Sequence, residues 1–128
     1  MRIEDLIEAA REAQKNAYVP YSNFPVGAAI LTESGRVFTG GNIESASYGA
    51  TICAERVAIS KAVSEGYLSF THLAVVGPDD FIYPCGICRQ VIMEFGPKAR
   101  IIVAGKEDYA LYNAEDLLPY AFTGKDLK

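Results

Sequence analysis

Two short segments hold all three cysteines of this sequence, Cys53-Ala54-Glu55-Arg56 and Pro84-Cys85-Gly86-Ile87-Cys88. Thiolates are soft ligands suited to zinc, and a four-coordinate Zn²⁺ with three protein ligands keeps one position open for water. Glu55 is poorly placed to be a further ligand beside Cys53 but well placed to handle the protons of that water. Cys85 and Cys88 stand at i and i+3, so at the start of a helix they share a face and can share a metal. Cys53 and Glu55 would point about 200° apart on a regular helix. They converge only if Cys53 sits at the helix start, where the backbone is not yet helical. Helix starts also favour thiolates, because unpaired N–H groups and the helix dipole stabilise negative charge there.

The plainer alternative is a closed structural zinc site, which needs a fourth ligand. The sole imidazole is His72, in Phe70-Thr71-His72-Leu73-Ala74-Val75-Val76, where it reads as a partly exposed residue at the start of a strand. The ligand count therefore favours an open, catalytic site.

The elements that must position these residues follow from periodicity. Ile3, Leu6, Ile7, Ala10, Ala13, Gln14 and Ala17 recur at helical spacing, predicting a helix that stops near Tyr18 because Pro20 disfavours it further on. Val26–Thr32 reads as a buried strand, with Arg36–Gly40 as its hairpin partner across Glu33-Ser34-Gly35. The small residues Gly27, Ala28 and Ala29 imply that another element packs closely on that strand. Cys53 opens a helix to about Ser64, closed at Glu65-Gly66, and Leu73–Gly77 is the next strand. Cys85 opens a second helix ending at Gly96-Pro97. Ala99–Ala104 and Tyr109–Tyr112 are strands, and Ala114–Leu118 is a short helical turn. The order α-β-β-α-β-α-β-β predicts an α/β fold, a mixed sheet of about five strands covered by helices on both faces.

Composition sets the outer bounds. At 128 residues, one domain spanning 1–128 is expected, with half its residues apolar and enough chain to bury a core. The net charge is −4 and there is no run of Lys or Arg, which argues against nucleic acid or an anionic membrane surface as partner. No stretch approaches the ~20 apolar residues of a membrane span. The odd cysteine count, grouped as metal ligands, suits a reducing compartment, and the cytoplasm is the expected location.

Taken together, the chain resembles the small cytidine deaminases of the homotetrameric, three-cysteine type. The likeness runs through Ala17-Tyr18-Val19-Pro20-Tyr21-Ser22-Asn23-Phe24, Val26-Gly27-Ala28-Ala29, Gly41-Asn42-Ile43-Glu44-Ser45-Ala46-Ser47-Tyr48, the two cysteine motifs, and Leu117-Leu118-Pro119-Tyr120-Ala121-Phe122. The C-x-E…P-C-x-x-C pattern by itself marks the wider superfamily of zinc deaminases. Asn42-x-Glu44, with Cys rather than His as first ligand, narrows it to the nucleoside branch.

The resemblance implies a three-layer fold and hydrolytic deamination of cytidine and deoxycytidine. It implies one Zn²⁺ per subunit on Cys53, Cys85 and Cys88, with Glu55 as the proton shuttle. By the same likeness Asn42 and Glu44 bind the ribose, Phe24 packs on the pyrimidine, and Ala54 and Cys85 offer backbone groups to the base. Phe122 and Tyr48 lie near active sites shared between subunits, and Arg56 offsets the thiolate charge on zinc. Read without the family, Asn42 is a turn residue, Glu44 is a solvated charge, Phe24 is core, Phe122 pins the tail to its own core, and Arg56 is equally a surface cation or a donor to the thiolates. Two other functions compete. A non-enzymatic zinc module predicts a fourth ligand, and a deaminase acting on RNA or DNA predicts a basic face and a first-ligand His. Blasticidin-type deaminases share the zinc motif but diverge at Asn42-Ile43-Glu44.

Overall fold

The computed structural model describes residues 1–127, which form α1 (Ile3–Gln14), β1 (Gly27–Thr32), β2 (Val37–Gly41), α2 (Ala54–Ser64), β3 (Phe70–Val76), α3 (Gly86–Phe95), β4 (Arg100–Ala104), β5 (Tyr109–Asn113) and α4 (Ala114–Leu117). A 3-10 turn, Tyr48–Ala50, lies in the connection from β2 to α2, and Gly124–Leu127 form another at the end of the chain. The strands make one five-stranded sheet in the order β2-β1-β3-β4-β5. β3 and β4 are parallel, joined by a crossover through α3, while the other neighbours are antiparallel.

Alternation along the strands builds three layers. Ala29, Ala74, Val76, Ile102 and Ala104 face one way, against Leu6, Ile7 and Ala10 of α1. Ala28, Ile30, Leu73, Val75, Ile101 and Val103 face the other, with Ala58 and Ile59 of α2 and Ile92 of α3. Central strands buried on both faces read as continuous apolar runs, which is why β3 and β4 stand out in the sequence. The expected mixed sheet with helices on both faces is therefore what forms.

The small residues of β1 do what their size implies. A Cβ built on Gly27 would meet the Ala10 carbonyl oxygen at 2.0 Å and the Gln14 nitrogen at 2.7 Å. On the opposite face a Cβ built on Gly40 would meet α2, 2.8 Å from the Ala54 oxygen.

Boundaries differ from the sequence reading at several points. α1 stops at Gln14 rather than near Tyr18, because Tyr18 is drawn into extended pairing. Its N–H donates to the Asn42 carbonyl at 2.8 Å, and its own carbonyl accepts from Glu44 N–H at 2.9 Å. β3 begins at Phe70 rather than Leu73, since Phe70 pairs with Thr32 across a register shift in β1. Phe38 and Gly40 alternate inward along β2, which runs one residue beyond the expected Gly40 to Gly41.

Candidate active site

Cys53 and Cys85 are the N-cap residues of α2 and α3, with extended backbones (φ −73°, ψ 153° and φ −69°, ψ 170°). That conformation turns the Cys53 side chain back toward Glu55, as a regular helix would not. Cys85 Sγ accepts the Cys88 N–H at 3.4 Å, a thiol doing the work of a helix cap. The three sulfurs all lie within 4.8 Å of one another, and Cys53 Sγ is 3.7 Å from Cys85 Sγ. Tetrahedral zinc with bonds of about 2.3 Å requires sulfurs roughly 3.8 Å apart, so the donor set fits that ion. Among the described residues no other His, Cys, Asp or Glu joins this cluster. His72 is on β3, paired with Leu31 and Arg100.

Charge in the cluster is distributed unevenly. Cys53 is lowered to about 5, first by a hydrogen bond from Cys88 against the effect of burial, then by Arg56 and Cys85. Cys88 is pushed up, since it is the donor to Cys53 and is buried beside Glu55. The Arg56 Nη2 donates to Cys53 Sγ at 3.7 Å. Burial works against the Arg56 charge, but its bonds to Cys53 and Cys88 outweigh that and raise its pKa. Its Nε is buried without a partner, next to a sulfur set that becomes fully anionic on binding a metal. Arg56 is thus no surface cation.

Among the described residues Glu55 is the one buried carboxylate, with 4% of its surface exposed. Burial pushes it up to about 7, its own backbone N–H and Arg56 pull it down, and Cys53 raises it. A carboxyl near neutrality is suited to both taking and giving a proton. It lines an open cleft together with Phe24, Asn42, Ala54 and Cys85.

Two candidates lie next door. Glu44 and Tyr48 line an adjoining cavity with Tyr21 and Ser22, and Thr51 belongs to both. Glu44 is held low in pKa by the Ser22 hydroxyl, against a small burial effect, and by the backbone N–H groups of Ser22 and Tyr21. Asn42 Oδ1 accepts from Val26 N–H at 2.9 Å while its Nδ2 donates to the Phe24 carbonyl at 3.0 Å. Asn42 and Glu44 therefore hold the loop that carries Phe24. Phe24 is 43% exposed, so it is a wall of the cleft rather than core. Phe122 lines neither cavity. It is 58% exposed, and its backbone is gripped by the Gln90 side chain, so it does not pin the tail to its own core.

Sequence reasoning missed Tyr83 and Ile82, which line the cleft beside Cys85. Tyr83 is anchored by a 3.1 Å contact between its hydroxyl and that of Tyr112. Its position directly before Pro84-Cys85 was the available signal.

A family model described as "Cytidine and deoxycytidylate deaminase zinc-binding region" matches residues 1–104. The chain belongs to the cytidine deaminase family. A probable cytidine deaminase of Dictyostelium discoideum is 47% identical over 127 residues, 98% of this chain and 86% of that protein. A cytidine deaminase of Sporosarcina psychrophila is 48% identical over 130 residues, 99% and 96%. The crystal structure of a cytidine deaminase from Burkholderia pseudomallei has a TM-score of 0.91 at 48% identity, covering 95% of this chain and 100% of that one. The family's zinc-binding region and the three-cysteine cluster point to the same cofactor, one zinc ion.

Proposed function

We propose that this chain, one domain over residues 1–128, hydrolyses cytidine and deoxycytidine to uridine and deoxyuridine, releasing ammonia. The observation that carries this reading is a buried carboxylate, Glu55, in the same cleft as Cys53 and Cys85, whose sulfurs converge with that of the buried Cys88. Cys53, Cys85 and Cys88 hold the zinc. When bound there, the ion supplies Lewis acidity that makes water a nucleophile at neutral pH.

Glu55 takes a proton from the attacking water and places it on N3 of the pyrimidine while the oxygen bonds to C4. The hydroxyl now on C4 gives its proton to Glu55, which delivers it to the amine. The C4–N bond then breaks, ammonia departs and the C4 carbonyl forms. Burial is what equips Glu55 for this, since a solvated carboxylate would hold its proton too weakly. Ala54 is the first residue of α2, so its N–H lacks a helical partner and is free for the base, as is the backbone of Cys85. Phe24 packs on the pyrimidine. Asn42 and Glu44 meet the ribose hydroxyls, and the loop bonds they already make fix their orientation. Arg56 draws off part of the excess thiolate charge.

The chain assembles as a homotetramer, with Tyr48 and Phe122 at active sites shared between subunits. Their large exposed side chains, with those of Tyr21, Ile87 and Tyr120, support that reading. No helix among the described residues is long and apolar enough to cross a membrane, and the assigned location is the cytoplasm, where three free thiols persist. The substrate is a small nucleoside, not nucleic acid.

The test is an ultraviolet assay of zinc-loaded protein against a panel of nucleosides and bases. Conversion of cytidine and deoxycytidine is expected. A zinc-loaded protein that leaves both untouched would overturn the reading.

A further inference from the structure

Arg89, the residue after Cys88, makes one local and one long-range side-chain bond that the chemistry above does not use. Its Nε donates to the Pro84 carbonyl at 2.7 Å, and its Nη1 donates to the Leu117 carbonyl at 2.8 Å. Pro84 is fully buried and directly precedes Cys85, so its carbonyl is part of the peptide that aims Cys85. Leu117 is the last residue of α4, where helix carbonyls are left without backbone partners. One guanidinium thus spans the metal-binding loop and the C-terminal segment. Next to it, Gln90 grips that segment again. Its Nε2 donates to the Phe122 carbonyl at 2.9 Å, and its Oε1 accepts from Phe122 N–H at 3.3 Å. Between these two grips the segment has little burial of its own. Tyr120 is wholly exposed and has a positive φ of 55°. Leu117 packs on the core, and beyond it the side chains of Arg89 and Gln90 supply the bonds that tie the segment to α3.

We infer that Arg89 is a positioning residue for Cys85, and that through it the C-terminal segment 117–122 is coupled to the metal site. The physical basis is the rigid fork of the guanidinium. Two carbonyls from distant parts of the chain are fixed relative to one planar group, so a shift of either is felt by the other. Lysine has three donors, but all on one freely turning nitrogen, so it does not hold two carbonyls in one fixed plane. Residues that orient a metal ligand typically change metal affinity by about 10–100-fold when removed. Coupling is reciprocal, so metal on Cys85 must in turn steady the segment.

The inference rests on the assignment of Cys53, Cys85 and Cys88 as zinc ligands, and the experiment separates the two. Zinc content of the native protein is measured first, and a native protein that binds no zinc sinks both. With zinc bound, transfer to excess chromogenic chelator is timed for native protein, Arg89→Gln and Arg89→Lys. The expected result is release faster by roughly tenfold or more in Arg89→Gln, with partial recovery in Arg89→Lys. Thermal unfolding is compared with and without chelator. A positioning role lowers the melting temperature of the zinc-loaded variant more than that of the stripped one, whereas a merely structural clamp lowers both alike. Amide exchange over 117–123 in the native protein needs no variant, and it should speed up when zinc is removed. Native-like release from folded Arg89→Gln, equal losses of melting temperature, or exchange indifferent to zinc would each overturn the inference.

Discussion

Three thiolates on a divalent cation carry a formal charge of −1, which weakens the ion's hold on the electrons of water. On the proposed reading Arg56 answers this, since one guanidinium nitrogen donates to Cys53 and another is buried beside the cluster without a partner. Arg56→Gln should keep zinc but lower kcat near neutral pH. Cys53→His removes a negative charge and, with Arg56 present, leaves the site too positive. The double variant should then be more active than the product of the two single losses. A double-mutant cycle of kcat, with zinc measured in each protein, reads that coupling directly, and strictly additive losses would remove Arg56 from this role. At this scale the convergence of the three cysteines beside Glu55 was legible, because cysteines are scarce and their spacing matches a helix start, whereas the Arg56 contact with Cys53 was favoured only through resemblance. Asn42 and Glu44 were legible only through resemblance. Their side chains bond to residues as distant as Val26 and Ser22, a closure that no local pattern announces.

At the scale of elements, the site depends on two helix starts delivered by the sheet, and the sheet depends on close backbone approach at β1. Gly27→Ala would drive a methyl into the Ala10 carbonyl, against backbone that cannot swing aside. The expected cost is about 1–3 kcal/mol or more, read as a lower urea midpoint, and unchanged stability would show that α1 can move away freely. β3 carries a second, pH-dependent element. His72 has its pKa held below 6.5 by burial first, then by Arg100 and the N-terminal ammonium. The unfolded chain therefore takes up that proton before the folded one does. The stability contributed by neutral His72 is complete above its free value and is lost as pH falls through the lower folded value. Across that window native protein should lose more stability than His72→Gln, and parallel curves would contradict this. The helices and all five strands could be read from period and caps. The end of α1 could not, because Tyr18 is claimed by Asn42 and Glu44, a long-range pairing that beats local helix preference.

For the whole molecule, the cleft lies at one end of the strands, between the start of β1, the end of β2 and the connection from β3 to α3, with exposed aromatic side chains around it. If these are buried between subunits, light scattering should give a mass near four times 13.9 kDa, and a stable, active monomer would contradict the assembly. Among the residues lining the cleft there is no Lys or Arg, and Glu44 stands in the cavity beside it. A 5′-phosphate has no cationic partner there, so CMP and dCMP should be poor substrates beside cytidine. Equal turnover of the nucleotides would show that the sugar end has been misread. The three-layer plan was legible from the order of elements, whereas neither Tyr83 nor the tail's attachment through Gln90 was, since both depend on how distant segments meet. The central claim is that Glu55 moves protons for an ion held by three thiolates, and Glu55→Gln tests it most directly. With zinc content and cytidine turnover measured on the same preparation, the variant should hold a full complement of zinc while kcat falls by about 10²–10⁴-fold or more. Near-native turnover in the zinc-loaded variant would contradict the claim.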